Sequence, residues 1–147
     1  TAFEGKGLTV EQRNGKVYVS MENKLLFKSG SWAIGKQGKV AIIELGKVLS
    51  KNPDIAVLIE GHTDNVPFTS DGPISNNWDL STKRATSIIS ILSENNSINL
   101  DNLTAAGRSE YSPIDTNETQ EGKAKNRRIE VILTPKLDEI SRLLNSK

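Results

Sequence analysis

The sequence contains no cysteine, which excludes disulfides and thiolate metal sites. It holds a single histidine, His62, too few for a His-rich zinc centre built from this chain alone. No apolar run approaches the roughly 18 residues of a membrane-spanning helix, and no basic–apolar signal peptide opens the chain. Neither sign of charge prevails: 19 Lys and Arg stand against 18 Asp and Glu, a net charge of +1. Such a balance argues against a chain made to coat nucleic acid or an anionic membrane. Aromatics are 5% and hydrophobic residues 35%, below the usual range, but the apolar residues are clustered. A compact core is therefore expected, and whole-chain disorder is not. The absence of cysteine suits the periplasm and the cytosol alike.

What is there is one domain's worth of chain, 147 residues. It opens at Thr1-Ala2-Phe3-Glu4 without an initiator methionine and is read as an excised domain. Val17, Val19 and Met21 alternate with Tyr18 and Ser20, the period of a half-buried strand over 16–21. Phe27-Lys28-Ser29-Gly30-Ser31 is a loop by composition. A helix is expected from Gly35 or Lys36 to Ser50, with Ala41, Ile42, Leu45, Val48 and Leu49 on one face, ended by Asn52-Pro53. Ile55-Ala56-Val57-Leu58-Ile59 is short and rich in β-branched residues, so it reads as a central strand buried on both faces.

A polar loop over 61–77 leads to a second helix over 78–95, with Ala85, Ile88, Ile89 and Leu92 inward and Asn76 or Asn77 as its cap. Leu103–Ala106 is a short strand, parallel to the central one across a βαβ crossover. A helical turn near 119–125 precedes a last strand over 129–133. Pro135 stops that strand, and Leu137, Ile140 and Leu144 make an amphipathic final helix over 136–145. The expected fold is an α/β (α+β) two-layer sandwich: about four strands in a mixed sheet, helices mainly on one face. The core spans about 16–134, and 135–147 is a C-terminal helical extension.

Ligands of open α/β sheets gather beyond the carboxyl ends of strands, which draws the eye to Gly61-His62-Thr63-Asp64. Arg84 lies early in the next helix and is expected near Asp64 in space. Two readings of this pair stay open: a structural salt bridge, or a clamp for a zwitterion. In the clamp Asp64 takes an ammonium and Arg84 grips a carboxylate with its fork, each contact contributing about 1.5–3 kcal/mol if shielded from water. In Asn126-Arg127-Arg128 adjacent residues point to opposite faces, so one arginine can face a helix or ligand and the other solvent. His62 and Asp64 fall at i and i+2, on one face of an extended strand, yet no nucleophile motif or oxyanion hole accompanies them, and two ligands do not make a metal site. Trp78 is read as a packing anchor, with sugar stacking as the lesser alternative.

Four ordered motifs resemble one family. Ile59-Glu60-Gly61-His62-Thr63-Asp64, Asn77-Trp78-Asp79-Leu80-Ser81-Thr82-Lys83-Arg84-Ala85, Ala105-Ala106-Gly107-Arg108-Ser109-Glu110 and Lys125-Asn126-Arg127-Arg128-Ile129-Glu130 are similar to the OmpA C-terminal-like (OmpA/MotB) peptidoglycan-binding family. The resemblance implies a periplasmic βαβαβ-type domain that holds the cell wall non-covalently through the meso-diaminopimelate of the peptide stem. It places the ammonium of that residue on Asp64 and its far carboxylate on Arg84. Thr63, Asn77, Leu80 and Arg128 match positions lining or supporting the family's site, and the loop of Phe27, Ser29 and Gly30 offers backbone groups.

No cofactor, metal or nucleic acid is implied. Membrane association would come through an anchor before Thr1, and some members dimerise, which leaves a homodimer open. The long segment after Asp64 and the wording Asn-Trp-Asp-Leu-Ser are closer to MotB, the motor stator protein, and to lipoproteins of similar sequence. The rival functions are a MotB-like stator anchor, a hydrolase using His62, and a protein-interaction domain whose Asp64–Arg84 pair is only structural.

Overall fold

The computed structural model describes residues 8–27 and 31–135. The expected final helix over 136–145 lies outside them. Five strands form one sheet in the order β1-β2-β5-β3-β4. They are β1 (Leu8–Arg13), β2 (Lys16–Glu22), β3 (Ile55–His62), β4 (Leu103–Gly107) and β5 (Arg128–Pro135). The helices are α1 (Asn23–Leu26), α2 (Lys36–Ser50), α3 (Asn77–Leu92) and α4 (Gln120–Asn126). β3 and β4 pair in parallel across α3, and the other pairings are antiparallel. The mixed two-layer architecture is thus the expected one.

The sheet has one strand more than the four read from sequence. β1 is an edge strand whose Val10 is half exposed, so it carries little of the alternation that reveals a buried strand. Its signal lies in the turn: Asn14 and Gly15 both have positive φ, 53° and 78°, the conformation an Asn-Gly hairpin turn requires. The short α1, folded into the stretch between β2 and the 27–31 loop, was likewise not legible from periodicity. α3 stops at Leu92, three residues before the expected end.

Val57, Ile59, Ile129 and Val131 point to one face of the sheet and meet Ile42, Leu49, Ala85, Ile88 and Leu92 from α2 and α3. On α2 the inward stripe is Ala41, Ile42, Leu45 and Leu49, whereas Val48 is 55% exposed and not part of it. β3 is not buried on both faces as expected. Ala56 and Leu58 on its other side are only half-buried, because the helices that cover Val57 and Ile59 lie on one face.

Charges occupy that other face. Glu60 and Glu130 stand opposite each other on β3 and β5. Like charges so placed repel unless compensated. Arg128 grips Glu130 Oε2 through Nη2 at 2.6 Å and Nε at 2.7 Å, and His62 Nε2 lies 3.1 Å from Glu60 Oε1. The exposed guanidiniums of Arg108 and Arg13 stand at the rim, 3.8 Å from Glu60 and 4.0 Å from Glu130. The hydrogen bond to His62 holds the Glu60 carboxyl below its ordinary range, burial opposes this, and His62, Arg108 and Arg128 add attraction. Burial pulls the Arg128 guanidinium down, and Glu130 resists.

The seat of α3 is set by two residues without side chains. A Cβ on Gly61 would stand 2.0 Å from the Ser81 carbonyl oxygen, and one on Gly107 would stand 2.0 Å from Thr82 Oγ1. Gly61→Ala is therefore expected to cost about 3 kcal/mol or more, since backbone must move. Gly46→Ala, whose Cβ would meet Leu92 and Ile98 at 3.5 Å, is expected to be neutral or stabilising by up to about 1 kcal/mol. Urea denaturation of both variants checks this, and equal midpoints would refute the seat. Because Glu60 has a depressed folded-state pKa, its contribution to stability is complete above the ordinary value of 4.5 and is lost as pH falls through the lower folded value. Glu60→Gln should flatten this acid limb of the stability curve, read as melting temperature against pH.

Candidate functional site

A cleft of ≈ 570 Å³ opens where β3 ends and α3 begins. That size is ordinary for a small-molecule site. Beyond His62 the chain leaves the sheet, and the Thr63 N–H is caught by the Ser109 carbonyl at 2.9 Å. Asp64 then turns into the cleft, almost fully buried. Its Oδ1 accepts from the Val66 N–H at 3.0 Å. The following loop is pinned by Asn77, whose Oδ1 accepts from the Phe68 N–H at 3.2 Å and whose Nδ2 donates to the Val66 carbonyl at 3.1 Å. Asn76 caps α3 by accepting from the Asp79 N–H at 2.9 Å. Helical spacing then carries Asn77, Leu80 and Arg84 down one face, into the cleft wall.

The opposite wall comes from the other end of the sequence and from α1. The residue after α4, Arg127, donates from Nη1 to Asp64 Oδ2 at 2.6 Å. Asn126 holds the approach rigid: fully buried, it binds the backbone of Ile114 and Asp115 and the side chain of Asn117. Asn23, Lys24 and Phe27 add the third side.

The electrostatics of the two charged walls differ. Asp64 is satisfied on both oxygens, by a backbone N–H and a guanidinium. Arg84 is 5% exposed, and its Nε donates to the Ser31 carbonyl at 2.7 Å. Its guanidinium carbon lies 5.2 Å from the Phe27 ring centre. No carboxylate of the described residues is within ion-pair distance of it. Burial pulls its pKa down to about 10; Arg127 pulls the same way, and Asp64 opposes them. The group is still a cation at neutral pH, but one whose charge is poorly compensated. A ligand carboxylate would supply the missing counter-charge in fork geometry.

Of the residues singled out in the sequence, Thr63, Asp64, Asn77, Leu80, Arg84 and Phe27 all line this cleft. Ser29 and Gly30 lie outside the described residues. Arg128 does not line it. As the first residue of β5 it points to the opposite face, where it binds Glu130 and the Ser112 carbonyl and so props the loop that leads to α4. Arg127 takes the position in the cleft instead. Strand alternation said that the two arginines would part, but could not say which way. His62 and Asp64 part likewise, because the chain leaves the extended path after His62. His62 sits with Glu60, away from the cleft. Trp78 is not a packing anchor: it is half exposed and stacks on Tyr111. Asn23, Lys24 and Gln120 in the cleft lining carry no sequence signal beyond their polarity. Among the described residues no three His, Asp or Glu are placed to hold a metal ion. No helix among them is long and apolar enough to cross a membrane.

The chain is similar to Motility protein B of Bacillus subtilis, 35% identical over 118 residues that make up 80% of this chain and 45% of that protein. It is also similar to the probable lipoprotein YiaD of Escherichia coli, 32% identical over 133 residues, 90% of this chain and 58% of that one. It thus spans about half the length of these curated relatives. Among solved structures, the cell wall anchor of the T6SS from Pseudomonas aeruginosa superposes with a TM-score of 0.81 at 28% identity, covering 91% of this chain and 92% of that one. The periplasmic domain of Helicobacter pylori MotB shares the fold, with a TM-score of 0.81 at 23% identity over 99% and 90% of the two chains. The OmpA family model matches residues 26–127, well over half of the sequence. With its five-stranded mixed sheet, its cleft at the end of β3 and this match, the chain belongs to the OmpA family.

Proposed function

We propose that this domain binds peptidoglycan non-covalently, through the diaminopimelate of the peptide stem, and so anchors an envelope protein to the cell wall from the periplasm. The observation that carries the reading is Arg84, a buried guanidinium lining the same cleft as a buried carboxylate and lacking a carboxylate partner of its own among the described residues. The free end of diaminopimelate presents an ammonium and a carboxylate on one carbon. Asp64 takes the ammonium, and Arg84 takes the carboxylate. Asn77 and Thr63 hold the loop and strand end that carry Asp64. The wall anchor among the similar structures and the motility protein among the relatives support the same role. Within this reading, a stator-type anchor is favoured by the similarity to Motility protein B.

Binding rather than catalysis is supported by His62, which faces Glu60 on the far side of the sheet and gives Asp64 no acid–base partner. A second reading has one specific support. Asp64 already has a guanidinium partner in Arg127, as a purely structural pair in a protein-interaction domain would.

Calorimetric titration with a diaminopimelate-containing muropeptide separates these readings. Wild type should bind, while Asp64→Ala and Arg84→Ala should each weaken binding at least about tenfold, as loss of a charge-assisted contact requires. Arg84→Lys should not restore it, because an ammonium cannot reproduce the fork or the bond to Ser31. Folded variants that bind like wild type would sink the clamp. Arg127 competes with the ligand's ammonium for Asp64, so Arg127→Gln should lower the stability of the empty domain yet leave muropeptide binding unchanged or up to about tenfold tighter. Complete loss of binding in that variant would instead show that Arg127 contacts the ligand.

A further inference from the structure

The two most exposed aromatic side chains of the described residues stand together, and nothing in the clamp uses them. Trp78 is 50% exposed and Tyr111 is 65% exposed. Their rings stack with centroids 5.4 Å apart and planes 28° from parallel. The chain has only two tryptophans and two tyrosines. One of each is therefore spent on a paired surface left in water, where apolar area is unfavourable unless something covers it.

The turn that presents Tyr111 is tied down. The Arg108 N–H donates to the Gly61 carbonyl at 2.9 Å, and the Ser109 N–H donates to Ser81 Oγ at 3.1 Å. The Ser109 carbonyl accepts from Thr63 at 2.9 Å, and the Tyr111 N–H closes the turn on the Arg108 carbonyl at 3.2 Å. Ser109 itself is buried at φ 54°, a left-handed conformation that residues with a Cβ adopt at a cost. Strain of this kind persists where the surroundings over-determine it, and it marks places where position matters.

These bonds also join the aromatic pair to the cleft. Thr63, which holds the turn, is the neighbour of Asp64. Trp78 lies between Asn76, the cap of α3, and Leu80 of the cleft wall. The platform and the clamp share one rigid joint at the end of β3.

We infer that Trp78 and Tyr111 form a second subsite, which receives a pyranose ring of the glycan strand. The inference rests on the wall-binding reading: a peptide stem in the cleft hangs from a sugar, and the turn that carries Tyr111 is bonded to Thr63, next to Asp64. A pyranose presents a face of C–H bonds that packs on the electron-rich face of an aromatic ring. Its hydroxyls can bond to the Tyr111 hydroxyl on the exposed ring.

The test compares a disaccharide–tetrapeptide with the same free tetrapeptide. The sugar should tighten binding to wild type by about five- to tenfold. Trp78→Ala and Tyr111→Ala, checked for folding by circular dichroism, should erase that difference and leave free-peptide affinity unchanged. In a Trp32→Phe background, N-acetylglucosamine trimer should alter the fluorescence of Trp78 in a saturable way. That readout stands even if the peptide does not bind, an outcome that would defeat the clamp and not the platform. Equal affinity for the two ligands together with silent fluorescence would overturn the platform. So would a loss of self-association or partner binding in Trp78→Ala with no effect on sugar, which would make the pair a protein contact.

Discussion

The close approach of α3 to the sheet is the constraint on which the site depends. Gly61 on β3 and Gly107 on β4 leave no Cβ between the strands and the first turns of the helix. Ser81 and Thr82 lie directly over them. This seat fixes how far the helix stands from the end of β3, and so where Asn77, Leu80 and Arg84 emerge relative to Asp64. Asp64 is on the strand side and Arg84 is on the helix side of one cleft. A helix displaced by even one methyl group would separate the two charges and loosen the turn that Ser81 Oγ holds at Ser109. Glycine here serves proximity and not chain flexibility.

Two ionic systems lie on either side of the same strands, and they are built differently. On the open face, Glu130 is paired with Arg128 and Glu60 with the His62 ring, with Arg108 and Arg13 at the rim. Both carboxylates of that network have partners, although His62 Nδ1 stays buried without one, and Arg128 also ties the loop before α4 in place. On the cleft side, Asp64 and Arg127 form a pair, but Arg84 is left with a backbone carbonyl and an aromatic ring. Burying a charge without a counter-charge is unfavourable, and compensation by a ligand carboxylate turns that cost into affinity. The contrast between a closed network and an open one separates scaffold from site more sharply than residue type does. Both contain buried arginine.

Local patterns proved legible where burial followed a simple period. The strands at 16–22, 55–62, 103–107 and 128–135 and the helices at 36–50 and 77–92 stand within a few residues of their expected places. β1 escaped because an exposed edge strand does not alternate, although Asn14-Gly15 announced its hairpin. Val48 shares the helical spacing of the inward stripe but lies in the open, because five apolar residues on a helix span more surface than its neighbours cover. Trp78 stands where the loop meets the helix, a place that suits a packing anchor, yet it is half exposed. The cleft residues supplied by the motifs were legible as a set: Thr63, Asp64, Asn77, Leu80 and Arg84 all reach it. Arg127 and Arg128 were not separable, since alternation gives opposite faces without saying which one the ligand side is.

The sequence by itself determined the elements, the family motifs and the two charges that matter, because periodicity, caps and turn residues act over a few residues. Tertiary structure decided the rest. It decided that Arg127 and not Arg128 meets Asp64, at 2.6 Å. It turned His62 away from the cleft, and left Arg84 without a carboxylate among the described residues. It also stacked Trp78 on Tyr111 in the open. Each of these joins residues far apart in the chain or chooses a side of the sheet. Such choices are settled by how helix, strand and loop pack against one another, and no local pattern carries that information.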